Sequence, residues 1–433
     1  MPRQTTARFR PAAWAFADQC VVSAANFITM YLFARYMGTS AFGAYAIAQT
    51  ALLLITSMQS ALLAQPHNVL GARLEGLAYR RFTAALLVAQ LAGSILLCAL
   101  LAGAGLLIGE SLSPGTGSIV LALSFAALPW MGQEFVRRVL YTRGQSRAAF
   151  VNDLLTYGLQ IAGAILLVRA LGEDARAESA LAVLGGSSLA GIAAGASQLR
   201  GHVAFRALDR ATLRASLVEV WGYGKWLSAQ NALAWVGAQG HSWIVALLLG
   251  AEQVGFYRAV THLVNLLNPI RQAAYNYLPA RGSLAYRDGG RAGLTRWIRQ
   301  VFRVLVIAPL PVCVALIAFP GPLLSLAYGD KYASPELALI LALAAAGQFL
   351  TFIKYPFDIG ILALGRPKAF FYLYAVPVVL LLSVGVALVL WLGILGVPLS
   401  GMLINSVLLV ATIAVYLRLA REPHAARNGV SYA

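Results

Sequence analysis

Charge is scarce in this chain: only 11% of its 433 residues are Asp, Glu, Lys or Arg, and 60% are hydrophobic. A soluble domain carries about 25% charged residues, so a water-facing surface of ordinary composition is excluded. Cysteine is also rare. Cys20, Cys98 and Cys313 all lie inside apolar runs, which excludes a disulfide framework and leaves them as small core residues. The five histidines are scattered, with no HExxH and no Cys/His cluster, so no metal centre is expected. No GxxxxGK[ST] occurs, so a P-loop nucleotide module is absent. No cofactor is expected.

What the chain has instead is a series of apolar runs of about 20 residues or more, enough to cross a bilayer core of roughly 30 Å as helix. The fold class that follows is an all-α polytopic membrane protein. About twelve transmembrane spans are expected, at roughly 14–36, 41–65, 82–108, 117–139, 149–170, 179–200, 221–249, 252–279, 299–320, 335–362, 369–391 and 395–417. The first run, Trp14 to Met37, follows three arginines. It is longer than the core of a cleaved signal peptide and flows into the next run, so it is read as a first span.

The loops alternate in charge. Arg35, Arg169, Arg176 and Lys331 fall on one side beside seven acidic residues, and Arg258, Arg271 and Lys354 fall inside spans. The other 26 of the 33 Lys and Arg lie at the termini and in the loops after even-numbered spans. Positive loops face the cytoplasm, which predicts both termini inside, N-in/C-in. The net charge of +17 is then a topology signal plus attraction to anionic membrane lipid, and nucleic acid is not expected as a partner.

The chain is written twice. GTSAFGAYAIAQTALLLI, Gly38 to Ile55, aligns without a gap on GAEQVGFYRAVTHLVNLL, Gly250 to Leu267. Gly43 meets Gly255, Tyr45 meets Tyr257, and Arg258 stands where the first copy has Ala46. Trp14 matches Trp226 at the same offset, and Pro66 matches Pro279 one residue out. Later, RGQSRAAF (143–150) parallels LGRPKAFF (364–371), with Gly144 opposite Gly365 and Arg147 opposite Lys368. Six spans per copy is an even number, so both copies share one orientation, a parallel repeat. The expected organisation is a cytoplasmic N-terminus (1–13), an N-lobe of spans 1–6 (14–200), a basic cytoplasmic linker (201–220), a C-lobe of spans 7–12 (221–417) and a cytoplasmic tail (418–433). A substrate cavity between two such lobes is the transporter pattern.

Polar stripes mark the faces toward that cavity. In span 8, Arg258, Thr261, His262, Asn265, Asn268, Gln272 and Asn276 step by three or four and share a face, with Arg271 beside it. A charged side chain near mid-bilayer costs about 2.5–3.5 kcal/mol and is tolerated against protein or a wet cavity. Arg258 lies ~9 Å into the span at 1.5 Å per residue, so it either snorkels to the outer surface or lines the cavity; the full stripe favours the cavity. Span 10 offers Gln348, Thr351, Lys354, Tyr355 and Asp358, with Lys354 and Asp358 spaced to pair. Span 1 offers Gln19, Ser23, Asn26 and Thr29, with Asp18 near its inner end. In span 4, Glu134 and Arg138 are spaced i, i+4 to pair, and span 7 holds Gln230 and His241. Span 6, with Gly185, Gly186, Gly191 and Gly195, suits close helix packing. Cations outnumber anions deep in the second copy. Guanidinium groups grip phosphate by charge-assisted pairs, while Asn, Gln, Tyr and His suit sugar hydroxyls.

At these residues a resemblance emerges. NFITMYLFARYMGTSAFGAYAIAQT resembles the start of polysaccharide flippases of the Wzx/RfbX type, within the multidrug/oligosaccharidyl-lipid/polysaccharide exporter superfamily. KWLSAQNALAWVGAQGHSWIVALLLGAEQVGFYRAVTHLVNLL followed by YLPAR resembles their seventh and eighth spans. Relatives often carry an acidic residue where His241 stands. The resemblance implies two six-helix lobes around a cationic cavity in the bacterial plasma (inner) membrane. It also implies an undecaprenyl-pyrophosphate-linked oligosaccharide flipped between leaflets for surface polysaccharide such as O-antigen or exopolysaccharide. Glycan polymerase and chain-length machinery are implied partners.

On this reading Arg258, Arg271 and Lys354, with Arg35 at the outer mouth, receive the pyrophosphate, and His262, Asn265, Gln272 and Asn26 help solvate the sugars. Asp18, Glu134, His241 and Asp358 are candidates for ion coupling. No catalytic residue is expected. An ion-coupled multidrug or small-molecule antiporter of the same superfamily is the alternative, and it would want buried carboxylates. A membrane glycan polymerase or ligase would want a long outer loop carrying catalytic groups, and the longest here is roughly fifteen residues.

Overall fold

The computed structural model describes residues 3–108, 115–364 and 367–421. Side-chain surroundings are described from Ala13 onward, except at 108, 272, 273, 275–277, 280, 367–371, 374 and 421. Contacts divide the chain into two compact units that part after Ala259. The first unit holds α1 (Arg3–Tyr36), α2 (Thr39–Gln59), α3 (Gln65–Leu70), α4 (Gly76–Ile108), α5 (Thr116–Thr142), α6 (Ser146–Leu171), α7 (Ala177–Gln198), α8 (Arg210–Leu249) and the opening turns of α9 (Ala251–Val264). The second holds the end of α9, then α10 (Asn268–Ile307), α11 (Leu310–Ala318), α12 (Pro320–Tyr328), α13 (Pro335–Ala363), α14 (Pro367–Leu380), α15 (Val386–Leu392) and α16 (Gly396–Arg421). Among the described residues there is no strand.

Among the described residues, ten helical stretches are long and apolar enough to cross a membrane, against twelve expected spans. Two local features account for the difference. The stretch at 252–279 is absent from the ten because its polar stripe lowers its hydropathy. The last two spans run together as Ala375–Ala420, although the backbone turns between them at Gly393 (φ 60°, ψ −139°). The eighth span is also not one helix. A 3-10 turn at Asn265–Leu267 separates α9 from α10, because Pro269 has no N–H to give the carbonyl of Asn265. Broken helices of this kind put polar backbone at membrane depth, which is tolerated only against protein or water.

The repeat is visible in the backbone. Gly76, which opens α4, and Gly290, inside α10, have φ of 55° and 56°. Gly290 is non-helical (ψ −150°), so α10 is two helices joined at the point where the first copy starts a new one. Gly172 (φ 53°, ψ −122°) and Gly393 likewise share a left-handed turn that ends a helix and opens a 3-10 segment. Gly144 has φ 67°; its expected counterpart Gly365, and the side chain of Lys368, lie outside the described residues.

In the first unit α1 lies on α6, α5 on α4 and α7, and α8 along α2 and α4. The core around Phe82, Leu86, Phe135, Val139 and Leu140 reaches Val220 of α8. α7 approaches closely through three of its four expected glycines: a β-carbon on Gly185, Gly191 or Gly195 would lie 3.1, 2.2 or 2.5 Å from Ala126, Thr156 or Val136, while Gly186 faces open space. α8 is capped by Asp209, whose carboxylate accepts from the Thr212 N–H at 2.7 Å. Hydrogen bonds from Thr212 hold the Asp209 carboxyl below its usual range; this contribution is present above the unfolded pKa and is lost as pH falls through the lowered one. The bond from Trp235 Nε1 to Thr50 O (3.1 Å) and that from Asn231 Nδ2 to Ser57 O (3.0 Å) fasten α8 to α2. The contact boundary after Ala259 therefore differs from the repeat boundary expected at 201–220. The second unit is built on α13, which packs on α10, α11 and α16. Its core joins Leu294 and Ile298 to Ile361 and Tyr416.

Candidate functional site

Two polar constellations lie inside the apolar bundle of the first unit. One centres on Arg137 of α5. Its Nη2 donates to Asp18 Oδ2 of α1 at 2.8 Å, and its Nε lies 2.7 Å from Asp153 Oδ2 of α6. Glu134, one turn before, is 3.8 Å from Nη1. Tyr141 donates its hydroxyl proton to the same Asp18 oxygen at 2.5 Å, and Gln133 Nε2 donates to Asp153 Oδ1 at 2.7 Å. Asp18 and Asp153 have side chains 0% exposed, against 17% for Arg137 and Glu134. The expected pairing of Glu134 with Arg138 is therefore replaced by Glu134 with Arg137. Helical spacing allowed either residue, and the two carboxylates of α1 and α6 draw the guanidinium of Arg137. Asp18 Oδ1 is buried and, among the described residues, has no hydrogen-bond partner. The hub brings together two of the expected ion-coupling residues, Asp18 and Glu134, and adds Arg137, Asp153, Tyr141 and Gln133, which the sequence reading did not select. One signal was present: Arg137 sits five residues inside the end of α5, too deep to belong to a loop.

The second constellation is where the two repeat copies meet. A β-carbon on Gly43 of α2 would lie 1.7 Å from the carbonyl oxygen of Ala251, and one on Gly255 of α9 would lie 2.3 Å from that of Thr39. Gly43 matches Gly255 in the repeat, and Thr39 matches Ala251. The contact is reciprocal, as across a two-fold axis. The beginnings of α2 and α9 cross at backbone distance. One turn further, Arg258 is half-buried, and its Nη1 donates to Gln239 Oε1 of α8 at 3.3 Å. His241, two residues on, is also half-buried. Two other candidates of this unit lie elsewhere. Asn26 accepts from Gln160 Nε2 (3.5 Å), which also donates to Thr29 Oγ1 (3.0 Å), so this part of the α1 stripe faces α6. Arg35 is half-buried, its guanidinium 5.7 Å from the Tyr36 ring.

In the second unit, Arg271 of α10 lines a small cavity with Ala274 and with Gln348, Thr351, Phe352 and Tyr355 of α13. Its polar neighbours there are all uncharged. Lys354, by contrast, forms an ion pair with Asp358, and the two side chains are 12% and 4% exposed. Its charge is matched one turn away. Lys354→Ala is expected to leave the Asp358 carboxylate buried and to lower stability by ~1–3 kcal/mol. Adding Asp358→Ala should recover most of the loss, which thermal melts of the two purified variants in detergent would reveal. His262 is 6% exposed and bonded through Nδ1 to the Tyr328 hydroxyl at 2.7 Å, which fastens the end of α9 to α12. Asn265 is exposed in the 3-10 break. The side chain of Gln272 lies outside the described ones. Among the described residues no group of three or more His, Cys, Asp or Glu is arranged to hold a metal ion.

The whole arrangement has known counterparts. An inward-facing multidrug resistance MATE family transporter of the MOP superfamily superposes with a TM-score of 0.72 at 15% identity, over 94% of this chain and 97% of that one. The chain has the MOP superfamily fold. The lipid II flippase MurJ, in an inward closed conformation, follows with a TM-score of 0.70 at 13% identity, over 94% and 90%. A MOP superfamily transporter from Pyrococcus furiosus matches at 0.59 and 13%, over 95% and 96%, and is described for a binding pocket of reversed polarity that suggests a different function. Residues 196–336, from the end of α7 to the start of α13, match the family described as polysaccharide biosynthesis protein. No curated protein matches the chain. These named neighbours are transporters and a flippase rather than enzymes. With its apolar helices, this MOP-fold chain is a multi-pass membrane protein, and in a bacterium its place is the inner membrane.

Proposed function

We propose that the chain is a flippase that carries a lipid-linked oligosaccharide, with the sugar joined to a polyprenyl carrier by pyrophosphate, across the inner membrane by alternating access. The observation that carries this reading is Arg271, a guanidinium at membrane depth set against the uncharged Gln348, Thr351 and Tyr355. Such a cation is costly in oil and gains most from an anionic ligand held by charge-assisted hydrogen bonds. Arg258, with the neutral Gln239 as a partner, is of the same kind, and the family match at 196–336 spans both. The flippase MurJ among the fold neighbours supports a lipid-linked substrate. Lys354 contributes less to an anion site than its position suggested, because Asp358 neutralises it.

The test is surface glycan display in a strain that depends on this protein. Arg258→Ala and Arg271→Ala are each expected to cut display about tenfold or more, with unchanged protein in the membrane. Full display in both variants would remove the arginines from the mechanism and with them the anionic-lipid reading. The Asp18–Arg137–Asp153 hub specifically favours a second role, coupling to a proton or sodium gradient, because carboxylates in oil bind cations when their counter-charge moves. Asp18→Asn with normal expression, normal display and unchanged dependence on an ionophore would sink that role and leave the flippase reading intact.

A further inference from the structure

The second unit carries a basic surface that the proposed transport cycle does not use. Beyond Gly290 the chain re-enters helix at Arg291. From there Leu294, Ile298, Val301 and Leu305 turn into the core, each no more than 8% exposed. Beside this buried face the helix presents Arg291, Thr295, Arg296 and Arg299, which with Ala292 line an open cavity of about 400 Å³. Three guanidiniums share that cavity and no carboxylate lines it. The preceding acid, Asp288, is engaged by Arg287 at 2.8 Å. Arg291 Nε is buried and, among the described residues, has no hydrogen-bond partner. The floor is tied to α16: Thr295 and Tyr416 share a hydrogen bond at 3.2 Å between their hydroxyls, and half-buried Trp297 packs beside Ile298.

Three like charges around one hollow repel one another unless an anion sits between them. The same stretch lies in the first half of Arg281–Ala318, a segment long enough to cross the membrane, shortly before its apolar run from Val304. A cavity just before an apolar run suits the level where lipid phosphates meet a span, and basic pockets between helices at that level hold anionic headgroups. We infer that Arg291, Arg296 and Arg299 form a binding site for the phosphodiester headgroup of an anionic phospholipid. The guanidiniums supply paired N–H donors to phosphate oxygens. A bound lipid would brace α10 against α16 through Thr295 and Tyr416. The site rests on the membrane reading of the chain and is independent of the flippase reading.

The test uses the purified full chain in detergent. Native mass spectrometry measures retention of phosphatidylglycerol and cardiolipin against phosphatidylcholine, and thermal melting measures stabilisation by each. The wild type should retain the anionic lipids preferentially and melt higher with them. Arg291→Gln/Arg296→Gln/Arg299→Gln should lose that preference, by about fivefold for each arginine, while Arg303→Gln and Arg418→Gln, outside the cavity lining, keep it. If the triple variant folds poorly, Arg296→Gln alone, exposed and outside the core, must still lower the retention. Equal retention in the triple variant and the wild type would overturn the proposal. So would loss of bound lipid to millimolar inorganic phosphate, which would make the hollow a site for soluble anions.

Discussion

Arg137→Ala is expected to remove most of the folded protein from the membrane. The guanidinium bridges Asp18 on α1 and Asp153 on α6, both with side chains 0% exposed, and Glu134 stands 3.8 Å away. Without it two buried carboxylates face each other, one of them held further by Tyr141 and the other by Gln133. Removing one partner of a buried ion pair costs about 3–5 kcal/mol, and here one side chain serves two acids on two helices. Arg137→Lys should rescue only part of the loss, since a single ammonium cannot present two separated N–H faces. Arg137→Met with Asp18→Asn and Asp153→Asn should fold again, because a matched neutral set replaces a buried charge set at little cost. Detergent-solubilised yield by size-exclusion chromatography and a thermal melt would check all three. A melt for Arg137→Ala equal to the wild type would contradict the reading of this hub as the brace of α1, α5 and α6.

The second large effect is expected at the glycines where the repeats cross. Gly43→Val places a β-carbon 1.7 Å from a backbone oxygen, and Gly255→Val places one 2.3 Å from another. Neither neighbour is a side chain that can rotate away, so the starts of α2 and α9 must part. Small residues permit such backbone contact in membranes, and forcing atoms into it costs roughly 1–3 kcal/mol. On the proposed alternating-access cycle, that penalty falls on the state in which these helix starts are in contact. Each variant should reach the membrane at near-normal levels, yet surface glycan display should fall at least about tenfold, following the free energy. Gly186→Val, which faces open space, serves as the control that keeps display. The reciprocity adds a sharper expectation: Gly43 and Gly255 variants should behave alike, and the double variant should be little worse than either, since parting the helices once relieves both clashes. Normal display in both single variants would mean that transport does not need this close crossing.

Much of the architecture was legible in the residues, and each legible feature is local. Runs of about 20 apolar residues are a length matched to a bilayer, so the spans could be read one at a time. Lys354 and Asp358 were readable as a pair because four residues along a helix are neighbours in any fold. The repeat was readable because it is a comparison of the chain with itself, and the matching turns at Gly76 and Gly290, and at Gly172 and Gly393, carry it into the backbone. The break before Pro269 was also within reach, since a missing N–H acts on its own helix.

The chain by itself determined that this is a helical membrane protein, twofold in plan, with more cation than anion in its second copy. Tertiary structure alone decided where the charges go. Asp18, Arg137 and Asp153 sit on three helices, and no period links them. Glu134 lies by Arg137 rather than by Arg138 because two distant carboxylates, Asp18 and Asp153, hold the Arg137 guanidinium there. Aligned glycines announced a repeat, but only packing showed that Gly43 and Gly255 press against each other's helix. The physical reason is common to all three cases. Apolar length and helical spacing act along the chain, whereas the pairing of buried charges and the approach of two backbones depend on which helices meet across it.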